Sequence, residues 1–69
     1  MKISARNILS GKVTAIQAGP ISTLVTIKIA PKVEVTASIT SESAQQLGLA
    51  VGKPAYALIK ASSILVGTD

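Results

Sequence analysis

From Val33 to Thr40 the chain alternates without a break, with Val33, Val35, Ala37 and Ile39 on one side and Glu34, Thr36, Ser38 and Thr40 on the other. A two-residue period gives an extended strand one face for a core and one for water. Such a strand needs neighbours in a sheet. Sliding it by one residue would bury the charged and hydroxylated set, so its register is tightly specified.

The remaining segments carry the same signature less regularly. Asn7 to Ala18 reads as a long first strand, with Gly11 where it can bend or bulge and Gly19-Pro20 as the turn that ends it. Ile21 to Ile29 reads as a second strand, with Ile21, Thr23, Val25, Ile27 and Ile29 on one face and Ser22, Thr26 and Lys28 on the other. Ala30-Pro31-Lys32 separates it from the third strand. Ser41 to Gly48 is the helical passage, with Ser41 as the expected N-cap, Glu42 near the positive end of the helix dipole and Gly48 as the stop. Leu47 and Leu49 are expected to pin this helix to the barrel mouth. Val51-Gly52-Lys53-Pro54 then turns the chain into a fourth strand, Ala55 to Lys60, and Ile64 to Val66 forms a short fifth. The expected fold is all-β, a five-stranded OB-fold-like Greek-key barrel with one short helix between strands 3 and 4. Small SH3-type barrels share the strand count; the inserted helix favours the OB-fold. Residues 1–69 read as a single domain, with no internal repeat or linker.

A domain of 69 residues is marginal unless a disulfide, a metal or a partner subunit helps it. There is no Cys and no His, and the side-chain carboxylates are Glu34, Glu42 and Asp69, so neither a disulfide nor a metal cage is available. Oligomerisation is left. Ile8, Leu9, Leu24, Leu58 and Leu65 interrupt the alternation, which places apolar side chains on both faces of their strands and predicts subunit interfaces there.

The same omissions bound the chemistry. Without His, and with its carboxylates scattered, the chain has no evident general acid–base or nucleophilic machinery and is not expected to be an enzyme. Arg6 and Asn7 fall where a secretion signal would need an apolar core, and no run approaches the roughly 20 apolar residues of a membrane span. A cytoplasmic protein without membrane contact is expected. Seven Lys or Arg against three acids give a net charge of +4, which attracts anions of any kind. Single-stranded nucleic acid is the alternative ligand for such a barrel, but Tyr56 is the sole aromatic residue and offers no stacking platform.

Hydrogen-bond donors are plentiful instead, with eight Ser and six Thr. A fully ionised tetrahedral anion presents only acceptors, so its pocket must be lined by donors: N–H groups, hydroxyls or a Lys. Three places fit: Ser4-Ala5-Arg6-Asn7 before the first strand, Thr40-Ser41-Glu42-Ser43 at the helix start, and Lys60-Ala61-Ser62-Ser63 after the fourth strand.

Ser-Ala-Arg-Asn near the start, Gly11-Lys12-Val13, Ile39-Thr40 through Leu47-Gly48-Leu49 with Gly52, and Ile59-Lys60-Ala61-Ser62 occur in an order and spacing that resembles the molybdenum-pterin-binding, or molbindin, family. The resemblance spans nearly the whole chain and looks like a stand-alone Mop domain. It implies an OB-fold subunit that assembles into a homo-hexamer, a trimer of dimers, and holds molybdate or tungstate at subunit interfaces. By motif position the implied main oxyanion site comprises Ser4, Ala5, Arg6, Thr40, Ser43, Lys60 and Ser62. Lys60 would supply charge, Thr40, Ser43 and Ser62 hydroxyls, and Ala5 and Arg6 backbone N–H groups. The family also has a second kind of site, contacted by the turn after the first strand, which here is Gly19-Pro20-Ile21-Ser22. Pro20 has no N–H to give, so Gly19, Ile21 and Ser22 are its candidates. The implied role is storage and homeostasis of molybdate, with no bond made or broken.

Overall fold

The long first strand, β1 (Asn7–Ala18), serves two neighbours in turn. Its first half, Asn7 to Lys12, pairs antiparallel with β4 (Pro54–Ile59), and its second half, Lys12 to Ala18, pairs antiparallel with β2 (Ser22–Ala30). A strand that changes partners must curl, and two local features permit it. A side chain at Gly11 would run into the carbonyl oxygen of Lys28, so only glycine lets β1 pass this close to β2. The register with β2 then shifts between Val13 and Ala15, a bulge that increases the twist. The computed structural model describes all 69 residues.

β2 turns into β3 (Val33–Thr40) through Pro31-Lys32, where Lys32 takes a left-handed φ of 64°. The sheet order is β3-β2-β1-β4, the Greek-key arrangement in which the fourth strand returns beside the first. Val13, Val25 and Ile27 are fully buried between the curled layers, with Ile16, Ile29, Val35, Ile39, Leu49, Ala55 and Ala57 packed around them. The outward face is mixed: Ile8, Leu24 and Leu58 are exposed on it, and Lys12 lies opposite Lys28, and Lys28 opposite Glu34, whose carboxylate accepts a 3.1 Å hydrogen bond from the Thr14 hydroxyl.

The helix α1 spans Ser41–Gln46, one residue out of register with the expectation at its start: Thr40, not Ser41, is the N-cap. Thr40 ends β3 with its side chain on the exposed face, where its Oγ1 accepts from the Ser43 N–H at 3.0 Å. The C-terminal end is a Schellman closure, with Gly48 at φ 64°, its N–H on Gln45 O at 3.0 Å and the Leu49 N–H on Ala44 O at 3.2 Å. That reversal sends Leu49 into the core and leaves Leu47 exposed, so only Leu49 pins the helix. Ile21, expected on the inner face of the second strand, lies in the turn before β2 and is 78% exposed.

The fifth strand is absent. Residues 61–63 form one 3₁₀ turn, and Ile64 to Val66 continue without pairing, Leu65 and Val66 almost fully exposed. Three residues can make only one or two ladder hydrogen bonds, and with no face buried nothing holds them in register. The barrel therefore stays open between β3 and β4, along an apolar groove of about 530 Å³ lined by Val35, Ala37, Ile39, Leu49, Ala55 and Ala57 among others. No helix is long and apolar enough to cross a membrane.

Candidate functional site

The donor-rich segments gather at the two ends of β1. At its start, Asn7 pairs with Ile59, and the Asn7 side-chain amide donates to the Ile59 carbonyl oxygen at 3.1 Å. Ser4-Ala5-Arg6 and Lys60-Ala61-Ser62 therefore leave the same end of the sheet from adjacent strands. Lys60 caps the 3₁₀ turn, in which the Ser63 N–H bonds back to Lys60 O at 2.9 Å. Ser4, Arg6, Lys60 and Ser62 are exposed and Ala5 half-buried, so one cation pair and two hydroxyls face solvent together.

The far end of β1 carries the other set. Ser22 lies opposite Thr40 in the β2–β3 ladder, which sets the β1–β2 turn, Gly19 to Ser22, against the start of α1. The Thr40 hydroxyl accepts from the Ser43 N–H and donates to Ser43 Oγ at 2.7 Å. Its single hydrogen is spent locally, and the Ser43 hydroxyl is left as the free donor of the pair.

One chain does not bring the seven main-site residues together. Twelve residues of strand, about 36 Å of path at ~3.3 Å per step, lie between the Ser4–Arg6/Lys60–Ser62 group and the Thr40/Ser43 group. Gly19, Ile21 and Ser22 share an end with Thr40 and Ser43. No cluster of three His, Cys, Asp or Glu side chains exists that could hold a cation. The first end offers N–H groups, hydroxyls and the charges of Arg6 and Lys60, the complement of an anion, while the second offers N–H groups and hydroxyls beside Glu42.

At the second end the sequence points to Ser41 as a cap and to Thr23 as an inner-face residue, but not to the bond between them. Ser41 Oγ donates to Gly19 O at 2.6 Å and sits 2.8 Å from the hydroxyl of Thr23, which is 2% exposed. The signal for Thr23 was available: it is the one hydroxyl on the inner face of β2, and a buried hydroxyl needs a partner. Nothing in the sequence names that partner.

A family model described as the TOBE domain matches residues 3–66. A probable molybdenum-pterin-binding protein of Haemophilus influenzae is 44% identical over 69 residues, all of both chains. The molybdenum transport protein ModE of Herbaspirillum seropedicae is 45% identical over 69 residues, and there the chain spans 26% of the relative. Among solved structures, a molybdate-binding protein from Sporomusa ovata superposes with a TM-score of 0.91 at 34% identity, covering 99% of this chain and 100% of that one. The cytoplasmic molybdate-binding protein ModG, with molybdate bound, gives 0.93 at 39% identity, covering 100% of this chain and 49% of that one. The match over residues 3–66 and the 44% identity over the whole of both chains place the chain in the TOBE-domain family, among its molybdenum-pterin-binding proteins.

Proposed function

We propose that this protein binds molybdate, and tungstate by its similar size and charge, at interfaces between its subunits, for storage and homeostasis in the cytoplasm. The observation that carries this reading is the separation of two groups rich in N–H and hydroxyl donors by the length of β1. Ser4, Ala5, Arg6, Lys60 and Ser62 of one subunit are completed by Thr40 and Ser43 of another, because a single chain cannot fold them onto one anion. A homo-hexamer built as a trimer of dimers supplies such junctions. Exposed Ile8, Leu24, Leu58 and Leu65 are apolar surface consistent with contacts between copies. Relatives that carry molybdate or molybdenum-pterin in their names support the ligand class.

The bare oxyanion is favoured over a pterin, since the sole aromatic residue, Tyr56, stands 58% exposed on β4 with no second ring to sandwich a heterocycle. Lys60 supplies the compensating charge and the Ser43 hydroxyl a free donor. Gly19, Ile21 and Ser22 form a further anion-binding turn. Binding here makes and breaks no bond, so the protein is a carrier and not an enzyme.

Native mass spectrometry with molybdate, and with equimolar sulfate as the control, tests the reading. A hexamer gaining several molybdate masses but no sulfate is expected. A protein that ignores molybdate overturns it.

A further inference from the structure

Ser41 is the point at which the two ligand-facing segments at the far end of β1 are fastened to each other. Its side chain donates to Gly19 O at 2.6 Å and its backbone N–H donates to Ile21 O at 2.8 Å, so one residue holds two carbonyls of the β1–β2 turn. A hydroxyl has one hydrogen, and Ser41 has given its own to Gly19; the Thr23 hydroxyl is therefore the donor across the 2.8 Å gap to Ser41 Oγ. The result is a directed chain, Thr23 to Ser41 to Gly19, anchored in the core at a residue 2% exposed.

The fastening has a directional consequence. All peptide bonds are trans, so the N–H of each peptide plane points opposite to its carbonyl. With the Ile21 carbonyl drawn toward α1, the N–H of Ser22 is turned away from the helix, toward the β1 side. The Gly19 carbonyl is likewise drawn in, and Pro20 after it has no N–H to present. Ser41 also follows Thr40 directly, so the same bonds fix the helix start from which the Ser43 hydroxyl projects.

We propose that Ser41 is a positioning residue for oxyanion binding, touching no ligand itself but setting the β1–β2 turn and the helix-opening hydroxyls in one fixed relation. This rests on the oxyanion reading above. Its job needs the hydroxyl and not merely the volume, which separates it from a packing role.

Molybdate titration calorimetry on the full-length protein, with melting temperature recorded alongside, tests it in three variants. Ser41→Ala is expected to weaken molybdate binding about tenfold, and Ser41→Thr, which restores the hydroxyl, to return it to within about threefold of wild type. Thr23→Val, which removes only the first donor of the chain, is expected to weaken binding by an intermediate factor and keeps the question open to measurement should Ser41→Ala not fold. Amide resonances of Gly19, Ile21 and Ser22 are expected to move in Ser41→Ala and to stay near their wild-type positions in Ser41→Thr. Wild-type affinity in Ser41→Ala, or equal weakening in Ser41→Ala and Ser41→Thr, overturns the role of Ser41 while leaving the oxyanion reading intact. Wild-type protein that takes up no molybdate overturns both.

Discussion

The side-chain amide of Asn7 donates to the carbonyl oxygen of Ile59 at 3.1 Å, closing the first rung between β1 and β4 with a side chain as well as a ladder. This bond ties the segment before β1 to the segment after β4, and so holds Ser4-Ala5-Arg6 beside Lys60-Ala61-Ser62. Asn7→Ala should lower stability by about 1 kcal/mol, the usual worth of one such bond. It should also weaken molybdate binding more than that loss of stability would, because the two segments are released from each other. Chemical denaturation and calorimetry on the same sample separate the two effects.

Lys60→Ala removes one of the two cations at that end of the sheet while leaving the fold's interior untouched, since the side chain is exposed. Molybdate affinity should fall by about tenfold or more, as a charge-assisted hydrogen bond is lost. Lys60→Arg should retain most of the binding. Unchanged affinity in Lys60→Ala would remove the charge-compensating role.

Gly11→Ala should be among the more damaging single-methyl additions in this chain. The new Cβ meets a backbone carbonyl, that of Lys28, and lies 3.0 Å from Ile27 Cγ2, so neither neighbour can step aside as a flexible side chain would. A loss of about 2–3 kcal/mol is expected, as for overpacking at a rigid contact, read as a lower denaturation midpoint with an unchanged slope.

Lys32 sits at φ 64° in the two-residue turn between β2 and β3, a conformation that a lysine adopts at a cost. Lys32→Gly should therefore stabilise the protein, by about 0.5 kcal/mol after the extra freedom of glycine in the unfolded chain is counted. A lower melting temperature would show that the lysine side chain makes a compensating contact.

Much of the fold is legible along the chain because its punctuation is strong. Gly19-Pro20 and Pro31-Lys32 bound strands whose composition is already β-branched, and the limits of β1 and β3 coincide with the expected Asn7–Ala18 and Val33–Thr40. The helix start was offset by one residue because Thr40 and Ser41 are both capping types; which one caps depends on the face from which β3 delivers it. The short run Ile64 to Val66 reads as a strand from its side chains alone, yet a strand exists only where it pairs, and these three residues join neither free edge of the sheet, β3 nor β4. The site divides the same way. Ser4-Ala5-Arg6, Thr40-Ser43 and Lys60-Ser62 stand out as donor-rich, whereas their sorting to opposite ends of β1 follows from pairings between residues as far apart as Asn7 and Ile59. The link from Thr23 through Ser41 to Gly19 is of that long-range kind as well.

Only Val13, Val25 and Ile27 are fully buried apolar side chains, while residues as large as Leu47, Leu65 and Tyr56 stand in water. For a chain so constituted, the assembly proposed above would make folding a matter of mass action: the folded fraction would climb with the chain's own concentration and with that of the anion lodged between copies. The abundance of the protein and the supply of its ligand would then be two inputs to a single equilibrium, and a scarcity of either would return the chain to the unfolded pool.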